Sequence, residues 1–141
     1  MQRKVKFYPR RVAEALTIPH HIISIGEKGY AAKLHEKHHV LRLEFNDIES
    51  EIEGCELFSF SHAVQLIGWL QALPENHNRV IVHCEAGISR SAAVAQFMIK
   101  DMGYELEKDQ FCKDDFSLAN GRVYGMLRSV MYEIRKRNEL R

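Results

Sequence analysis

Apolar and polar positions along this chain change period several times, and each change predicts an element. Val5-Lys6-Phe7-Tyr8 predicts a first strand. Pro9 suits the first turn of a short helix through Leu16, with Val12, Ala13 and Leu16 on one face, and Pro19 stops it. His21-Ile22-Ile23-Ser24-Ile25-Gly26 is apolar at most positions, as a strand buried on both faces would be. Residues 29–36 predict a short helix. Val40-Leu41-Arg42-Leu43-Glu44-Phe45 alternates and predicts a third strand. An acidic loop over residues 46–56 follows. Residues 58–73 predict a helix with Phe60, Ala63, Val64, Ile67 and Leu70 on one stripe, ended by Pro74.

Val80, Ile81 and Val82 predict a further strand, and a helix follows from Ser89 to about Met102, with Gly103 as its stop. A helical segment is expected over residues 105–113. Asn120-Gly121 breaks the chain before a final helix over residues 122–136, with Val123, Leu127, Val130, Met131 and Ile134 inward. Alternating strands and helices imply an α/β fold: a central, mostly parallel sheet of four to five strands flanked by helices. No repeat or low-complexity tract interrupts it, so residues 1–141 are expected to form a single domain.

Composition narrows the function. Hydrophobic residues make up 45% and charged residues 28%, an ordinary balance for a globular chain. Net charge is +1, so no global field points to nucleic acid or to a membrane surface. The N-terminal Met1-Gln2-Arg3-Lys4-Val5 is basic but has no apolar signal core behind it. Three cysteines, Cys55, Cys84 and Cys112, are too few for a disulfide framework and lack C-x-x-C spacing for zinc. We expect a cytoplasmic protein with no metal or cofactor, a monomer by default. Cys55 and Cys112 are expected to be packing residues. His20-His21 and His38-His39 are expected at the surface.

The chemistry is concentrated in one stretch, His83-Cys84-Glu85-Ala86-Gly87-Ile88-Ser89-Arg90-Ser91, between the predicted strand and helix. The first N–H groups of a helix have no intrahelical acceptor, and the helix dipole favours an anion there. Backbone N–H groups from Glu85 through Ala86, Gly87, Ile88 and Ser89 to Arg90 can curl around one phosphate. Gly87 permits a backbone conformation that a side chain resists. Arg90 offers a planar fork of donors to two oxyanion oxygens. A helix N-terminus and a nearby cation favour the thiolate form of a cysteine. Cys84 is therefore a candidate nucleophile aimed at a bound phosphoryl group, with Ser91 placed to hydrogen-bond its sulfur.

This stretch resembles the signature of the cysteine-dependent protein-tyrosine-phosphatase superfamily, H-C-x-x-G-x-x-R-[S/T]. His83, Cys84, Gly87, Arg90 and Ser91 fill every fixed position. Size and element order are most similar to the compact dual-specificity branch and its small bacterial and phage members. Rhodanese-type sulfur carriers have a shorter loop after the cysteine. The resemblance implies a phosphate loop between strand and helix, a cysteinyl-phosphate intermediate, and a supporting role for His83 in holding the loop.

It also implies a carboxylic acid on a loop upstream of the cysteine, to protonate the leaving oxygen. Asp47, just after the third predicted strand, is the first candidate, with Glu49 next and Glu51 as a further rival. Asn120 stands where related phosphatases can carry a polar residue near the site, or else is simply a turn residue. The loop contains no basic residue besides Arg90, and Glu85 disfavours polyanions. The expected substrate is a phosphomonoester on a phosphoprotein, phosphotyrosine in a tyrosine or dual-specificity phosphatase. The alternative is a phosphate- or phosphotyrosine-binding module with weak or no turnover.

Overall fold

A computed structural model describes residues 2–139. In chain order the elements are β1 (Lys4–Pro9), α1 (Arg10–Glu14), β2 (His21–Gly26), β3 (His39–Glu44), α2 (Phe60–Gln71), β4 (Arg79–Cys84), α3 (Arg90–Asp101), β5 (Glu105–Leu106) and α4 (Gly121–Glu139). The five strands form one sheet in the order β3-β2-β4-β1-β5. Every pairing is parallel. β4 lies in the middle, and its residues from Val80 to Cys84 are all buried. Its register puts Cys84 opposite Pro9 and His83 opposite both Tyr8 and Ser24. The carboxyl end of the most buried strand is where open α/β sheets hold ligands.

Helices flank the sheet. α3 packs on β1 and β4, and α4 packs on both α2 and α3. The core includes Ile22, Ile23 and Ile25 of β2, Ile81 of β4, Leu66 and Ile67 of α2, Phe97 and Met98 of α3 and Leu127 of α4, all nearly solvent-free. α4 turns Val123, Leu127, Val130 and Met131 inward, with Ile134 partly buried against the core. Gly103, with φ near +77°, follows α3 in the left-handed conformation that suits a helix stop.

Several expectations need correction. Residues 29–36 are not helical. Gly29 sits at φ +87°, and side chains hold the segment through its backbone: Arg10 donates to the carbonyls of Tyr30 and Ala31, and Glu14 accepts from Lys33 N–H. α1 stops at Glu14 instead of Leu16.

Residues 105–113 are not helical either. Leu106 ends a short edge strand, and Asp109 then captures the N–H groups of Phe111 and Cys112, at 2.7 and 2.8 Å. A short carboxylate that takes backbone donors itself competes with helix formation.

α2 begins later than residue 58, because Ser59 caps it. The Ser59 hydroxyl accepts from His62 N–H, and His62 Nδ1 accepts from Ser59 N–H at 3.0 Å. Its inward residues are Ala63, Leu66, Ile67 and Leu70, whereas Phe60 and Val64 are exposed.

His38 is buried, its ring bonded to His20 N–H and paired with the Leu16 carbonyl. Cys112 is buried as expected, but Cys55 is exposed.

Candidate active site

β4 delivers Cys84 to the sheet's carboxyl end, and residues 85–89 carry the chain into α3 at Arg90. Cys84 is only 2% exposed. Its Sγ accepts from the N–H groups of Gly87 at 3.3 Å and Ser91 at 3.4 Å, and lies 3.1 Å from the Ser91 hydroxyl. Two amides and a hydroxyl thus surround the one sulfur. Gly87 makes this turn possible in two ways. Its φ is +72°, and a Cβ there would lie 2.3 Å from Pro9 N and 2.6 Å from the Tyr8 carbonyl carbon. The end of β1 therefore supports the loop from below, and no side chain fits between them.

Arg90 is the first residue of α3 and is buried despite its charge. Its Nη1 donates to the Phe45 carbonyl at 2.8 Å, which ties the guanidinium to the end of β3. Its Nη2 lies 4.0 Å from Glu27 Oε2. Its Nε is buried and has no hydrogen-bond partner among the described residues. Leaving a buried donor unpaired costs about 1–3 kcal/mol, and more on a charged group. The Nε edge of a guanidinium is also one that a two-oxygen anion can take side-on.

His83 is held in the middle of the sheet. Its Nε2 lies 2.6 Å from Ser24 Oγ on β2, and its Nδ1 lies 3.4 Å from the Cys84 carbonyl. Burial pushes its pKa down to about 4, against the opposing pull of that carbonyl. The ring is neutral at physiological pH and ties β4 to β2 through Ser24.

Asp47 reaches the loop between β4 and α3. Its Oδ1 accepts from the Ser89 hydroxyl at 2.7 Å and from the Asn120 side-chain amide at 2.8 Å. Asn120 is buried, donates also to the Ile48 carbonyl, and caps α4 by accepting from Val123 N–H. Glu49 is used differently: its Oε2 accepts from Gly121 N–H at 3.2 Å, at the start of α4. Asp47 is thus brought against the loop, whereas Glu49 is drawn to a helix end. Glu51 is exposed and has no part in these contacts.

A cavity of about 310 Å³ opens beside the loop, lined in part by Arg10, Glu27, Tyr30, Glu85 and Arg90. Three of these residues, Arg10, Glu27 and Tyr30, escaped the sequence reading. Glu27 follows β2 at the same sheet end as Cys84, and that position was the available signal for it. Arg10 reaches within 3.9 Å of Glu85 and pairs with Glu14. Nothing in its local sequence marks that role. Among the described residues, no group of three or more His, Cys, Asp or Glu is arranged to hold a metal ion. No helix among them is long and apolar enough to cross a membrane.

No protein-family model matches the sequence, and no curated protein matches it. Among solved structures, human tyrosine phosphatase-like serine/threonine/tyrosine-interacting protein aligns with a TM-score of 0.60 and 19% identity. The alignment covers 96% of this chain and 99% of that one. At this identity the likeness is one of fold. The chain shares the α/β fold of that tyrosine phosphatase-like protein, a parallel five-stranded sheet flanked by helices.

Proposed function

We propose that this protein is a metal-independent phosphomonoester hydrolase, a protein-tyrosine or dual-specificity phosphatase acting through a cysteinyl-phosphate intermediate. The observation that carries the reading is the unpartnered, buried Nε of Arg90, at the end of the loop that Cys84 begins. A phosphoryl oxygen is the acceptor that this donor lacks. In the first step Cys84 Sγ attacks phosphorus, the phosphorus–oxygen bond breaks, and Asp47 protonates the leaving oxygen. In the second step water attacks phosphorus and gives its proton to the Asp47 carboxylate, and the sulfur–phosphorus bond breaks to restore the thiolate. Both Asp47 hydrogen bonds among the described residues fall on Oδ1, so Oδ2 is the oxygen left to carry the proton. The loop amides of residues 85–90 and the Arg90 guanidinium supply the positive field that the transition state needs. Ser91 steadies the departing sulfur in the second step.

The aligned human protein is described as phosphatase-like and as an interacting protein. That description motivates a second reading, a phosphotyrosine-binding module with weak or no turnover. Cys84, Arg90 and Asp47 all being present favours the enzyme. The two readings separate when purified protein is mixed with phosphotyrosine peptides and a chelator between pH 5 and 8. Released phosphate supports the hydrolase. Peptide binding with no release supports the module.

A further inference from the structure

The connection between β5 and α4, residues 107–120, enters the proposed reaction only through Asn120, yet it is anchored at Asp109, Phe111, Cys112 and Phe116. Asp109 accepts from Lys6 Nζ at 2.8 Å, from the Tyr8 hydroxyl, and from the N–H groups of Phe111 and Cys112. Cys112 Sγ accepts from Phe7 N–H at 3.4 Å, and the Phe116 ring lies 5.4 Å from the Phe7 ring. Phe111 is fixed as well: the Arg11 guanidinium lies 5.4 Å from its ring centre, and Tyr8 meets it edge-on at 6.5 Å. A connection anchored this way presents a surface already in shape.

That surface is apolar and adjoins the phosphate loop. Ile88 is 49% exposed, Phe111 41% and Leu118 63%, although all three are large hydrophobic residues. With Gly87, Lys113 and Asp115 they line a cavity of about 120 Å³. This is well below the roughly 300 Å³ at which small-molecule and cofactor sites begin, and suits one side chain. Gly87 and Ile88 belong to both the cavity and the phosphate loop, so an occupant lies next to the bound phosphoryl group. Neighbouring residues of a peptide are about 3.8 Å apart at Cα, which puts a residue flanking the phosphorylated one within reach. Lys113 and Asp115 carry opposite charges, so the lining favours neither sign.

We propose that this cavity is a substrate subsite, receiving one bulky aliphatic or aromatic side chain that flanks the phosphorylated residue of a protein substrate. The inference rests on the phosphatase reading above and adds a sequence preference to it. Because the Gly87 and Phe111 walls are held beforehand, part of the ordering cost is already met before the apolar contact forms.

The test measures kcat/KM on phosphotyrosine peptides in which each of two residues on either side is varied among Leu, Phe, Ala, Asp and Lys. p-Nitrophenyl phosphate, which has no flanking residue, is run beside them. At one position Leu or Phe is expected to exceed Ala and both charged residues by about tenfold or more. Leu118→Ser, at an exposed position, flattens that preference and leaves p-nitrophenyl phosphate turnover unchanged. Phe111→Ser does the same. A flat profile with normal p-nitrophenyl phosphate turnover overturns the subsite alone, as does a preference that survives both substitutions. No turnover of either substrate class overturns the phosphatase reading and the subsite with it.

Discussion

Asp47 and Asn120 lie 73 positions apart in the sequence and meet at 2.8 Å, the Asn120 amide donating to Asp47 Oδ1. The same Asn120 caps α4 through Val123 N–H at 3.0 Å. One side chain therefore fastens the acidic loop to a helix and orients the candidate acid. Asn120→Ala should lose about 1 kcal/mol of stability with the cap. It should also slow hydrolysis of phenyl phosphate, whose leaving group needs a proton, by roughly tenfold or more, out of the 10²–10⁴ typical of general acid catalysis. Asn120→Asp keeps the capping oxygen but sets a buried carboxylate against Asp47 and loses the donor to the Ile48 carbonyl, so it should also lose stability. Its phenyl phosphate turnover should stay low while p-nitrophenyl phosphate is affected less. Full activity in Asn120→Asp would mean that the contact only caps the helix.

The distinct placements of Asp47 and Glu49 make a second prediction. Asp47→Asn should slow phenyl phosphate by about 10²-fold or more while affecting p-nitrophenyl phosphate much less, since p-nitrophenol leaves readily as an anion. It should also remove the limb of the kcat/KM profile that falls as pH rises. Glu49→Gln should leave that limb in place, because its carboxylate is engaged with Gly121 N–H at the start of α4. If Glu49→Gln erases the limb and Asp47→Asn does not, the roles are reversed.

Acid stability should report His83. Burial holds its folded-state pKa at about 4, against an unfolded value near 6.5. As pH falls, the unfolded chain takes this proton first, so stability that is complete above 6.5 is lost between 6.5 and about 4. By pH 5 the loss should be roughly 2 kcal/mol. His20 and His21 shift downward too, through burial first, and add to the same slope. Asp109 acts in a separate, lower window. Burial pushes it up, but its hydrogen bonds from Lys6, Tyr8, Phe111 and Cys112 outweigh that and bring it to about 2, so its contribution fades as pH falls from about 4. Urea unfolding at pH 7 and pH 5 checks this, with His83→Gln expected to narrow the difference. Equal wild-type stability at the two pH values would contradict a buried neutral His83.

The sequence was informative where local pattern and burial agree. β2 and β4 are runs of apolar residues in the sheet centre, and α4 keeps its helical stripe, so these elements could be read directly. The loop from Cys84 to Arg90 could be singled out because Cys84, Gly87 and Arg90 fall within one short window, and the structure does bring its Gly87 and Ser91 amides onto the Cys84 sulfur. The two misread helices failed for a common reason. Residues 29–36 and 105–113 are shaped by side chains that take or supply backbone hydrogen bonds, among them Arg10, Glu14 and Asp109, and periodicity carries no trace of such bonds. Partners distant in sequence were invisible for a similar reason. The Ser24–His83 contact and the approach of Glu27 to Arg90 exist only once β2 lies beside β4.

The central claim is that Cys84 carries the phosphoryl group during turnover. The direct test is rapid acid quenching of the protein during hydrolysis of p-nitrophenyl phosphate in the presence of a chelator, followed by mass analysis of the peptide containing Cys84. The account predicts one added phosphoryl group on that peptide, at the sulfur, and neither adduct nor turnover in Cys84→Ser. Turnover that the chelator abolishes, or that persists in Cys84→Ser, would contradict it.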